Sequence, residues 1–199
     1  MINRSRRHDR GRSRWLALLP LLVAACSSGE AARVPDEVAE SLPRQTRILL
    51  RDAEQEVIIA QADLEEQRDV NLTRGRELET AKKGRGGALR DAEVALCEAR
   101  LAVAEADLEQ AVTRLDLARA RRDQTHAEVL LRYELSSSQT VDLPGRRSDV
   151  QKLVTLMDEQ IAGGRKLRAE LDRVARKRDD LFDRDLAKSV GRAGPPWTD

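Results

Sequence analysis

Lys83-Gly84-Arg85-Gly86-Gly87 decides the fold, because of what lies on either side of it. Upstream, Leu50, Val57, Leu64, Asn71 and Leu78 recur every seven residues. Ala53, Ala60, Gln67, Arg74 and Ala81 interleave with them. Downstream, Val94, Leu101, Leu108, Leu115, Arg122 and Val129 repeat in the same way, interleaved by Cys97, Ala104, Ala111, Ala118 and Thr125. Apolar positions at alternating spacings of three and four are the a and d sites of coiled-coil helices. Glycines between two such stretches end one helix and allow the chain to reverse.

Folding the chain there gives a register. Pairing Leu115 with Ala60, Ala111 with Leu64, Ala118 with Val57 and Thr125 with Leu50 sets a large residue against a small one in each layer. The centre implied by these pairs falls between residues 87 and 88, at the glycines. Small residues in facing positions let two helices approach closer than the usual 8–10 Å or so. The expected fold is all-α. It is a long antiparallel coiled-coil hairpin over 36–135, with helices at about 44–82 and 88–135 and a turn at 84–87. Arg74, Asn71 and Gln67 fall at core positions near the turn, where they either fix the register at a cost in stability or mark helices loosening into solvent.

Ser136 to Arg147 interrupts the pattern with three serines, Pro144 and Gly145, and reads as a loop. Ser148 and Asp149 are suited to capping a third helix over 148–188. Val150, Leu153, Met157, Gly164, Leu167, Leu171, Val174 and Leu181 give it an apolar stripe. It is expected to lie along the hairpin as an extended three-helix bundle or to mediate self-association. Gly163-Gly164 marks a kink, a break or a close approach. Residues 189–199, with Pro195-Pro196, read as a disordered tail.

Composition narrows the function. The chain has 36 Lys and Arg against 35 Asp and Glu. Arg4, Arg6, Arg7, Arg10, Arg12 and Arg14 crowd the N-terminus with only Asp9 opposing them. From residue 26 onward 30 basic residues face 34 acidic ones, a net charge of −4. That balance does not suit a nucleic-acid binder. Tyr133, Phe182 and Trp197 are the aromatics of that region. Such a chain does not build a broad globular core.

Catalytic and metal signatures are missing. His126 and Cys97 are too few for a zinc site, which takes about four ligands. No Gly-x-Ser-x-Gly elbow accompanies Ser136, Ser137 or Ser138. Gly84-x-Gly86-Gly87 lacks the strand and the Lys-Ser/Thr of a phosphate-binding loop. His126 reads as a surface residue of its helix. The charged residues alternate as on solvated helix faces. No enzyme, metal or cofactor is expected. Cys97 reads as a small residue packed opposite Leu78, with an intermolecular disulfide as its redox alternative. Lys82, Lys83, Arg85 and Arg90 make the turn basic and form a candidate docking site for an anionic polymer, peptidoglycan included, or for an acidic protein surface.

The N-terminus carries the most specific signal. Trp15 to Ala25 is an apolar run of 11 residues, too short to span a bilayer, which takes about 20. It ends in Leu22-Val23-Ala24-Ala25-Cys26, which resembles the lipobox of bacterial lipoproteins. The resemblance implies that residues 1–25 are a signal peptide removed before Cys26 and that Cys26 carries a covalent lipid, the one non-protein group expected. Residues 26–35 then form a tether. Ser27 resembles the outer-membrane default of such proteins, facing the periplasm. The alternation of Ala92 to Glu128 is similar to the hairpins of periplasmic adaptor proteins and to other periplasmic coiled-coil lipoproteins. The β-rich domains that flank an adaptor's hairpin are not evident. Asp199 is not the terminal lysine that joins murein lipoprotein to peptidoglycan. The expected function is a non-enzymatic, lipid-anchored envelope spacer, scaffold or docking module, partnered through its helical faces by another protein or by itself. The alternative is an accessory subunit of a secretion, efflux, motility or outer-membrane assembly complex.

Overall fold

The computed structural model describes residues 33–84, 86–135 and 141–192. It is all-α: α1 (Asp36–Ser41), α2 (Arg44–Lys82), α3 (Ala88–Arg132) and α4 (Leu143–Arg192). At 1.5 Å per residue the three long helices extend about 58, 67 and 75 Å. The break between α1 and α2 has a local cause. Leu42 precedes Pro43, and a residue before proline is pushed out of the helical region. Leu42 is extended, with ψ of 157°. α1 is therefore a separate short helix, which the sequence reading had merged into the hairpin.

α2 and α3 pack along the expected positions. Val57, Ala60, Leu64, Ala111, Leu115 and Ala118 form one buried cluster, with Leu108 against its edge. These are the residues of three of the four layers deduced from the turn; in the fourth, Leu50 packs with Val129 and Leu130 instead of Thr125. Burying each Leu or Val contributes about 1.5–3 kcal/mol. A second cluster closes the end remote from the turn, where Val34 and Leu42 join Leu50, Val129 and Leu130. The polar stretch at 67–74 does not fray. α2 runs on to Lys82, Leu78 is buried, and Arg74 pairs with Glu77 at 2.8 Å.

α3 is the middle helix. It packs as extensively against α4 as against α2. Its second stripe is Ala92, Ala99, Ala106, Thr113, Ala120 and Ala127, again at intervals of seven, with Leu96, Gln110 and Leu117 beside it. Ala92, Leu96, Gln110, Thr113, Leu117 and Ala127 are buried. This stripe lies roughly 150° around α3 from the one that meets α2. A helix apolar on two sides has to sit between two others.

Gly163-Gly164 is a close approach, not a kink or break. Gly164 is buried, α4 continues through it, and a Cβ there would lie 2.7 Å from Gln110 Nε2. Gln110 Nε2 donates to the Gln160 carbonyl oxygen at 3.3 Å. Arg147 holds Glu128 across the same interface at 3.1 Å.

α4 begins earlier than expected. Asp142 caps it: its Oδ1 accepts the Gly145 amide at 3.0 Å. Ser148 and Asp149 lie inside the helix. Pro144 starts the helix instead of breaking it, because amides of the first turn have no intrahelical acceptor to lose. Residues 143–147 are thus helical, not loop. At the other end α4 runs to Arg192, past the expected 188, and the remainder of the expected tail lies outside the described residues.

Candidate docking site at the turn

Lys82 ends α2, and the amide of Lys83 bonds the Thr80 carbonyl at 3.1 Å. Gly87 leads into α3 with φ of 147°, a value in the region only glycine occupies readily. Arg90 folds back from the first turn of α3, and its Nη2 donates to the Lys82 carbonyl. It also lies 3.5 Å from Asp91. Arg90 therefore closes the turn by satisfying an orphan carbonyl of α2. Lys82 is exposed and pairs with Glu79 at 3.3 Å; Lys83 is exposed. Arg85 lies outside the described residues, as does Cys26.

α4 adds to the turn what the sequence reading missed. Leu181, Arg184, Asp185 and Lys188 face Gly86, Gly87, Leu89 and Glu93 across a recess of about 490 Å³. Two more basic residues, Arg184 and Lys188, thus stand at the turn with Arg90, opposed by Asp185 and Glu93. Only the antiparallel register of α4 on α3 reveals this meeting, since nearly 100 residues separate the two segments.

Cys97 is a free cysteine and half-buried. It is less buried than a core position facing Leu78 was expected to be. It lines an open groove of about 550 Å³ with Leu96, Ala81, Arg76, Arg100 and Arg178. α4 brings Arg178 into this groove, so three arginines and two glutamates, Glu77 and Glu93, line it with the half-buried Cys97.

The end remote from the turn holds a polar cluster. His126 is buried, contrary to its reading as a surface residue. Its Nδ1 accepts the Val34 amide at 3.1 Å. Glu54 Oε1 lies 3.4 Å from Nε2, close enough for charge attraction but not aligned as a hydrogen bond. Burial pushes the imidazole below its ordinary pKa, and Arg122 and Arg33 add to that, while Glu54 opposes it. Arg122 pairs with Asp123 at 2.9 Å, and Asp123 meets Arg146 of α4 at 3.8 Å. Nearby, the Thr46 and Tyr133 hydroxyls share a hydrogen bond of 2.8 Å. The first described residues of the expected tether, 33–35, are thus fixed to the helices.

No group of three His, Cys, Asp or Glu among the described residues could hold a metal ion. No helix among them is long and apolar enough to cross a membrane. Comparison with family models, with curated proteins and with solved structures finds no match.

Proposed function

We propose that this chain is a non-enzymatic, lipid-anchored envelope protein. In this reading residues 1–25 direct export and Cys26 receives the lipid. α2 and α3 form an antiparallel coiled coil that holds its turn away from the membrane. α4 widens the rod and completes the turn's basic surface. The observation that carries the reading is Leu22-Val23-Ala24-Ala25-Cys26 behind an arginine-rich start. The geometry supports it. Val34 docks at the end of α2 and α3 remote from Gly84–Gly87, so the start of the described chain and the turn lie at opposite ends of a body about 60 Å long. A lipid on one pole and exposed cations on the other suit a spacer with a docking end.

A role as accessory subunit of a larger envelope assembly has its own support. Ile48, Ile58 and Ile59 of α2 are exposed, at 44%, 61% and 59%. They lie on the side of α2 away from α3, where a partner helix would cover them.

Metabolic labelling with an alkyne fatty acid in a Gram-negative host tests the anchor. The full-length protein should carry the label and fractionate with membranes, and Cys26→Ser should do neither. Label retained by Cys26→Ser, or none on the unaltered protein, would overturn the lipid assignment.

A further inference from the structure

We propose that His126 is a pH-operated latch, which ties the 33–42 segment to the α2–α3 pair when neutral and releases it when protonated. The inference holds whether or not Cys26 is lipidated.

Nδ1 can accept the Val34 amide only while it carries no proton. The latched imidazole is therefore neutral, with its proton on Nε2, facing Glu54. Protonation places a second hydrogen on Nδ1, pointing at the Val34 N–H. Two donors then confront each other in a site where Val34 is 4% and His126 6% exposed. Both residues are buried, so the orphaned amide regains a partner by leaving for solvent.

The segment has few other holds. α1 has six residues, no side-chain cap and no buried residue of its own. A helix that short does not persist alone. What keeps it in place is Val34 and Leu42, with half-buried Val38 and Ala39, against Leu50, Val129 and Leu130. Release uncovers that apolar end of the long helices.

Each element around the imidazole contributes charge. Glu54 of α2 favours the imidazolium. Arg122 of α3 and Arg33 of the docked segment oppose it. Asp123 of α3 engages Arg122 and Arg146 of α4, so it offers His126 little compensation. Glu54 is 44% exposed, so solvent screens its attraction. Burial and the arginines prevail, and the docked state takes up a proton less readily than the undocked one. Docking is therefore complete above about pH 6.5, the ordinary histidine value, and weakens as pH falls through the lower pKa of the docked state.

Hydrogen exchange of the full chain between pH 7.5 and 5, corrected for intrinsic rates, tests this. Protection of 33–42 should fall by about tenfold or more, the worth of one lost buried hydrogen bond. Protection of 57–64 should stay constant, which separates release from unfolding. His126→Asn keeps an acceptor without a titrating group and should make protection of 33–42 independent of pH. Glu54→Gln removes the charge that favours the docked imidazolium and should deepen the loss of protection at pH 5. Nitrogen NMR of the ring in the unaltered protein at pH 7.5 should show Nδ1 without a proton. A proton on Nδ1 there, or protection of 33–42 unchanged down to pH 5, would overturn the latch. So would equal acid loss of protection in His126→Asn.

Discussion

Gly163 and Gly164 are neighbours in α4, yet alanine should have opposite effects at the two positions. Glycine inside a helix costs about 1 kcal/mol relative to alanine. At Gly163 a Cβ meets nothing within 4 Å, so Gly163→Ala should recover most of that. For a body of this size it should raise Tm by about 2–4 °C. At Gly164 the same gain is opposed. The new Cβ would lie 2.7 Å from Gln110 Nε2, inside van der Waals contact. Gln110 must swing aside, breaking its 3.3 Å bond to Gln160 and stranding a buried amide. That costs about 1–3 kcal/mol. Gly164→Ala should thus be neutral or destabilising by up to about 2 kcal/mol, from these two terms. Removing the obstacle should reverse the sign: in a Gln110→Ala background, Gly164→Ala should stabilise by about 1 kcal/mol. Thermal or urea unfolding followed by circular dichroism reads the unaltered protein and the four variants. Equal stabilisation by Gly163→Ala and Gly164→Ala would refute the packing of α4 on α3 at Gln110.

Other expectations follow from single contacts. Asp142→Ala removes the α4 cap and should cost about 1 kcal/mol in urea unfolding, with a cap-competent Asp142→Ser losing much less. Leu115→Ala opens the central cluster beside Ala60 and should cost about 2–5 kcal/mol. Tyr133→Phe strands the buried Thr46 hydroxyl and should cost about 1 kcal/mol, which Thr46→Val should largely restore in the double variant. Cys97 should react with a maleimide in the folded protein, without denaturant. A rate no faster than that of global unfolding would contradict its place in the groove.

The α2–α3 pairing was legible because its signal was redundant. Seven-residue spacing, large-to-small matching and the glycines all pointed to the same register. The second stripe of α3 was hidden for the reason that makes it useful. Alanine is common on solvated helix faces, so Ala99, Ala106 and Ala120 carried no contrast against their surroundings. The start of α4 was misread because Pro144-Gly145 has the composition of a loop, while helix N-termini accept proline. Asp142, just before it, was the cap residue that could have shown this. His126 was placed at the surface from its type alone. Its burial depends on Val34, 92 residues away, and no local pattern encodes that meeting. The turn's basic character was legible, but the capping role of Arg90 was not. It depends on an unsatisfied carbonyl that exists only once α2 ends at Lys82. Cys26 stands on the sequence alone.

The central claim is that lipid and turn occupy opposite ends of one rod. Energy transfer to acceptor lipids in vesicles carrying the lipidated protein tests it most directly. Single donors would be attached at Ser41→Cys or Lys83→Cys in a Cys97→Ser background. These positions are separated by a helix about 60 Å long. The account predicts strong transfer from position 41 and little from position 83. Equal transfer from the two positions would mean that the rod lies flat on the membrane, and would contradict a spacer that projects its turn.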